Sequence, residues 1–120
     1  YGRSDIAYKG FLAVDKKRKN GELETAFEYK GIFMRSTWEV KLAKWLDTLG
    51  ISWLYEPHQY PCGNFGIYIP DFYLPEKNKY IEVKGWQSKV GMDKYYYFIK
   101  RYNKQIELYD ETKMRELGLV

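Results

Sequence analysis

Apolar residues recur at three- and four-residue steps in two stretches of the chain, and each predicts a helix. In the first, Trp38, Leu42, Trp45, Leu46 and Leu49 form one face. Ser36 stands at its N-cap, Glu39 at the capping-box position three residues on, and Gly50 at its stop. In the second, residues 92–102, the face is Tyr95, Phe98, Ile99 and Tyr102. Alternating or continuous apolar runs predict strands at 51–55, 66–74, 79–85 and 106–109, with a turn at Pro75-Glu76-Lys77-Asn78 joining the middle pair as an antiparallel hairpin. Residues 111–117 predict a closing helix ended by Gly118.

The first third has no helical period. Asp15 to Gly21 is a charge run ending in Asn20-Gly21, a tight-turn signal. It lies between the apolar run 11–14 and the alternating run 23–29, which predicts a β-hairpin with a basic tip carrying Lys16, Lys17 and Arg18. The expected fold is therefore α/β, a central mixed β-sheet flanked by helices, with an N-terminal β-hairpin extension over residues 1–32 and the core over 33–120. The chain opens on Tyr rather than Met, so we expect a processed or excised piece of something longer.

Composition narrows the chemistry. One Cys, Cys62, allows no internal disulfide and no cysteine-based zinc site, and one His, His58, excludes a His-rich metal site. No apolar run approaches the roughly 20 residues of a membrane span. With no secretory signal visible, a reducing, cytoplasmic setting is expected. Aromatic residues make up 19% of the chain, 13 of them Tyr, enough to fill a small core or to stack on bases. The net charge of +4 suggests an anionic partner without identifying one.

The sharper signal is Pro70-Asp71 and Glu82-Val83-Lys84 on adjacent predicted strands. Glu82 and Lys84 are two residues apart, so a strand puts both on one face, with Val83 turned into the core. The hairpin sets Asp71 beside that face. Two carboxylates and an ammonium then converge where a sheet is expected to be dry. A divalent cation relieves the repulsion of the carboxylates, and hard oxygen ligands suit Mg²⁺, with Mn²⁺ able to replace it.

These residues resemble the PD-(D/E)xK nuclease superfamily, whose restriction-endonuclease-like core runs αβββαβ. The stretch from Arg35 to Trp86 looks most like small phage and intron-type homing endonucleases and the Vsr-like mismatch nucleases, though the latter use a different arrangement of acids and His. The resemblance implies a Mg²⁺-dependent DNA endonuclease of a bacterial or phage-infected host. Asp71 and Glu82 would bind the metal with the Val83 carbonyl, and Glu39 would complete its shell. Lys84 would orient or deprotonate the attacking water, so Glu39, Asp71, Glu82 and Lys84 form the expected catalytic set. The expected partner is double-stranded DNA, with no membrane and no small-molecule cofactor. One site per chain makes a homodimer the assembly that double-strand cutting would call for. Phosphate or groove contacts are expected from Arg35 at a helix N-terminus, from Trp86 and Gln87 leaving the strand, from Lys89, Lys94, Lys100 and Arg101 on the following helix, and from Lys16, Lys17 and Arg18.

Other readings remain. A phage structure-specific or junction-resolving nuclease would use the same residues. Gly66-Ile67-Tyr68 and Tyr80-Ile81-Glu82 resemble the paired halves of GIY-YIG nucleases, with Glu82 standing where that family has Gly. A non-catalytic nucleic-acid-binding module would use the aromatics and the basic charge, but leaves the convergence of Asp71, Glu82 and Lys84 without a purpose. His58, alone in a loop, reads first as structural.

Overall fold

Four consecutive residues of the chain, Tyr80 to Val83, are buried, so the strand that holds them must be covered on both faces. The computed structural model describes residues 27–83, 85 and 88–120, and this strand, β7 (Lys79–Val83), lies inside its main sheet. The elements before it are β1 (Glu28–Tyr29), β2 (Ile32–Phe33), α1 (Thr37–Thr48), β3 (Leu54–Tyr55), β4 (Tyr60–Pro61), a 3₁₀ turn (Gly63–Phe65), β5 (Ile67–Tyr68) and β6 (Phe72–Leu74). After it come α2 (Lys89–Arg101), β8 (Gln105–Tyr109) and α3 (Glu111–Glu116). The main sheet has the order β3-β6-β7-β8, with β6 antiparallel to β3 and β7, and β8 parallel to β7. The result is an α/β fold with a mixed sheet. The basic hairpin tip with Lys16, Lys17 and Arg18 lies outside the described residues, as do Lys84, Trp86 and Gln87.

One face of the sheet packs Phe72, Leu74, Ile81 and Val83 against Val40, Leu42, Ala43 and Leu46 of α1. Ser36 caps α1 as expected, its hydroxyl accepting from the Glu39 N–H at 3.2 Å. Trp38 and Trp45 flank this core, but Leu49, at 52% exposure, is not on the buried face, because the helix ends at Thr48 and Leu49 is its C-cap. Phe72 is wedged between Trp53 and Tyr55, ring centroids 5.6 and 5.5 Å away.

The other face is an aromatic cluster. Tyr68, Tyr80, Tyr95 and Phe98 are buried with Cys62, and Tyr60, Tyr73 and Tyr102 pack around them. Helix α2 begins at Lys89, earlier than the period suggests, because Ser88 accepts from the Gly91 N–H and adds a turn. Ile99, expected on the buried face, is 44% exposed. Burial pushes the Cys62 thiol up.

Two expectations about strands need correction. The run 66–74 is not one strand: β5 pairs with β4 in a separate two-stranded sheet, and the chain joins the main sheet at Phe72. Pro70 stands at the break, where it has no N–H to give a ladder. The run 51–55 contributes only Leu54–Tyr55 to the sheet. A tight hairpin that the pattern did not predict pairs β1 with β2 around Lys30 and Gly31, with φ of 53° and 78°. Those are the two left-handed positions of a type I′ turn, natural for Gly31 and strained for Lys30. The hairpin carries Lys30 to Asp47 at 2.8 Å, and Asp47 also accepts from Tyr29 at 2.5 Å and Trp53 at 2.9 Å. Among the described residues, no helix is long and apolar enough to cross a membrane.

Phe72→Ala should lower unfolding free energy by about 3–5 kcal/mol in urea denaturation, whereas Leu49→Ala should change it by less than about 0.5 kcal/mol. The Lys30 and Tyr29 bonds hold the Asp47 carboxyl down at about 2, against an ordinary 3.8. A depressed carboxyl stabilises the fold above its unfolded value and loses that contribution as pH falls through the folded one. Thermal melts should therefore show a midpoint that drops as pH falls from about 4 toward 2, and Asp47→Asn should flatten that drop.

Candidate active site

The carboxylates singled out from the sequence come to one end of the sheet, where β3 and β7 finish and β6 begins. Asp71 comes immediately before β6, whose first residue, Phe72, pairs with Ile81, the neighbour of Glu82 on β7. Both acids are fully buried, and Asp71 Oδ2 accepts from the Val83 N–H at 2.7 Å. The Asp71 backbone carbonyl accepts from the Glu56 N–H at 2.9 Å, so this one residue ties the ends of three strands together.

Glu82 lies on the α2 face, where the Tyr68 hydroxyl donates to Oε1 at 2.6 Å. Tyr95 is near enough that burial and the Glu82 charge together push its phenol up. A carboxylate in so dry a place needs such donors. Val83 turns the other way into the α1 core.

Glu39 is carried on the first turn of α1 and is also buried. Its Oε1 accepts from the Tyr55 hydroxyl at 2.6 Å and from the Arg35 N–H at 2.9 Å. The capping box is thus displaced by one residue, reaching the amide before Ser36 rather than that of Ser36 itself. Burial, then the charges of Glu39 and Glu56, push the Tyr55 phenol well above its ordinary range. A proton on Tyr55 is therefore held there as a donor to Glu39.

Arg35 was expected to meet phosphate. Its side chain is paired with Glu56, Nε to Oε2 at 2.7 Å. Glu56 itself has φ of 49°, a left-handed conformation that costs a non-glycine residue about 1–3 kcal/mol. It faces Arg35 with its carboxylate and Asp71 with its amide, linking the Glu39 network to the Asp71 pair.

No family model, curated protein or solved structure matches this chain. What the site can do follows from its own residues.

The basic candidates on α2 are spread apart. Lys89 pairs with Asp93 at 3.0 Å, Lys94 lies beside Gly66 at the 3₁₀ turn, and Lys100 and Arg101 are exposed in the last turn, with Arg101 over the Tyr102 ring. Because α2 begins at Lys89, Lys94 sits in its second turn rather than its first. His58 Nδ1 lies 2.7 Å from the Tyr80 hydroxyl, and Tyr80 also bonds Tyr60. Among the described residues, no three His, Cys, Asp or Glu side chains form a group that could hold a metal ion.

Sequence reasoning missed Tyr55 and Tyr68, whose hydroxyls donate to the acids, and Glu56, whose amide holds the Asp71 carbonyl. Tyr68 and Tyr55 were visible as strand aromatics, but only the strand pairing assigns each to a carboxylate. Tyr68→Phe and Tyr55→Phe should each destabilise the protein by about 1–3 kcal/mol, because each strips a donor from a buried carboxylate. Chemical denaturation checks this, and unchanged stability in both variants would contradict these roles.

Proposed function

We propose that the chain is a Mg²⁺-dependent DNA endonuclease of the PD-(D/E)xK kind, with a restriction-endonuclease-like core, working as a homing endonuclease in a cytoplasmic setting. The observation that carries this reading is the burial of two carboxylates at one end of the sheet, Asp71 just before β6 and Glu82 on the adjacent β7. Buried like charges so placed favour a cation between them.

The donor chemistry fits a hard divalent ion. Asp71 and Glu82 would hold Mg²⁺ with the Val83 carbonyl; Glu39, bonded to Tyr55 and Arg35 and not grouped with those two acids, would act on the ion only through water. When bound, the ion supplies a Lewis acid at the scissile phosphate and lowers the pKa of a water ligand. The chain's own residues do the rest. Asp71 is fixed by the Val83 amide and Glu82 by the Tyr68 hydroxyl, so neither carboxylate must reorganise during the reaction. Lys84, two residues beyond Glu82 in the sequence, takes the role of holding or deprotonating the attacking water and offsetting phosphate charge. Hydrolysis breaks the bond from phosphorus to the 3′ oxygen and leaves a 5′-phosphate. Double-stranded DNA is the substrate, and cutting both strands takes two copies of the chain or two successive nicks.

Plasmid nicking with Mg²⁺ and with EDTA tests the reading. Wild type should nick only with the metal, and Asp71→Asn and Lys84→Ala should each slow nicking by roughly 10²-fold or more. DNA binding without metal-dependent nicking would contradict the enzyme and favour a binding module. Nicking by Lys84→Ala at the wild-type rate would contradict the site assignment alone.

A further inference from the structure

At the opposite end of the main sheet from the acids, the β6–β7 turn and the start of β8 enclose a cleft of about 340 Å³. Lys77, Asn78, Asn103, Lys104 and Gln105 line it. No carboxylate is among them. The side chains available are two ammonium groups and three carboxamides.

Glu107 is paired with Lys79 at 2.9 Å and Lys113 at 3.6 Å, and Glu76 Oε1 faces the Ser52 amide. Among the described residues, neither Lys77 nor Lys104 makes an ion pair. The carbonyl end of α2, which favours cations, has Lys100 and Arg101 in its last turn. Two ammonium groups on one cleft repel each other, and an oxyanion between them relieves that repulsion.

The turn that carries Lys77 and Asn78 is held in place. The Lys77 and Asn78 amides close the turn onto the Leu74 and Pro75 carbonyls at 3.1 and 3.3 Å. Asn78 Oδ1 accepts from the Tyr73 hydroxyl at 2.8 Å, which occupies the amide's acceptor and leaves its N–H₂ as the end that can donate. The Lys79–Gln105 register fixes the two walls of the cleft against each other.

We propose that this cleft is a phosphate-binding site. It takes the phosphate group of a free phosphate compound or of a nucleic-acid backbone, in a volume large enough for a phosphate with an attached sugar. The four strand steps from Lys79 to Val83 put it about 13 Å or more from the acidic end. It stands on its own lining and does not require the chain to be a nuclease.

Amide NMR titrations in EDTA, with inorganic phosphate and separately with a short DNA duplex, test the site without any catalysis. Phosphate should shift the amides of Asn78, Asn103, Lys104 and Gln105 saturably. The double variant Lys77→Glu/Lys104→Glu should weaken that binding at least roughly tenfold, as loss of two charge-assisted contacts requires. Duplex that shifts the same amides and competes with phosphate identifies backbone phosphate as the occupant. Lys77→Ala/Lys104→Ala should then flatten the dependence of log affinity on log salt by about 1.8. Phosphate binding without duplex competition identifies a free phosphate compound. No saturable shift at these amides, or equal binding by the charge-reversed variant with a wild-type amide spectrum elsewhere, would overturn the proposal.

Discussion

The hydrogen bond from the Val83 amide to Asp71 Oδ2 is the constraint on which the acidic end of the sheet depends. The β6–β7 ladder runs up to Phe72 with Ile81, and Pro70, which has no N–H, cannot carry it on. The main-chain pairing stops short of it, and the Asp71 side chain extends the pairing by one bond. The same residue gives its backbone carbonyl to Glu56, so β3, β6 and β7 end on one side chain and one carbonyl. A buried carboxylate is expensive unless bonded. Here its bond is also the splice that holds the strand ends in register, so Asp71 has a structural role of its own.

The two faces of the sheet divide the work. The α1 face is an apolar core with Phe72 at its centre, and it presents Glu39 through Tyr55 and Arg35. The α2 face is built of tyrosines around Phe98, and it presents a phenol to Glu82. This accounts for the aromatic richness of the chain. A tyrosine fills volume and ends in a hydroxyl, so the same residue packs the core and serves a buried acid.

Much of this was legible because it rests on local chemistry. Ser36 and Glu39 announced α1 through cap spacing, and the Pro75–Asn78 turn announced the hairpin that brings Asp71 to Glu82. The failures were also physical. The β1–β2 hairpin turns at Lys30-Gly31, and Lys30 takes a left-handed φ that no propensity favours, so no pattern announced it. The sheet change at Pro70 had a local signal, a proline inside a strand pattern, which alternation alone overrode. The pairing of Arg35 with Glu56, and of Tyr68 with Glu82, had none. These are contacts between residues 21 and 14 apart, and they exist only once the strands are placed.

The central claim is that Asp71 and Glu82 form a poised pair for a divalent cation. Mn²⁺ titration followed by electron paramagnetic resonance tests it most directly, with wild type beside Glu82→Gln. Saturable binding by wild type that is lost in the variant is the predicted result. Absence of saturable binding in wild type, or equal binding by both, would contradict it.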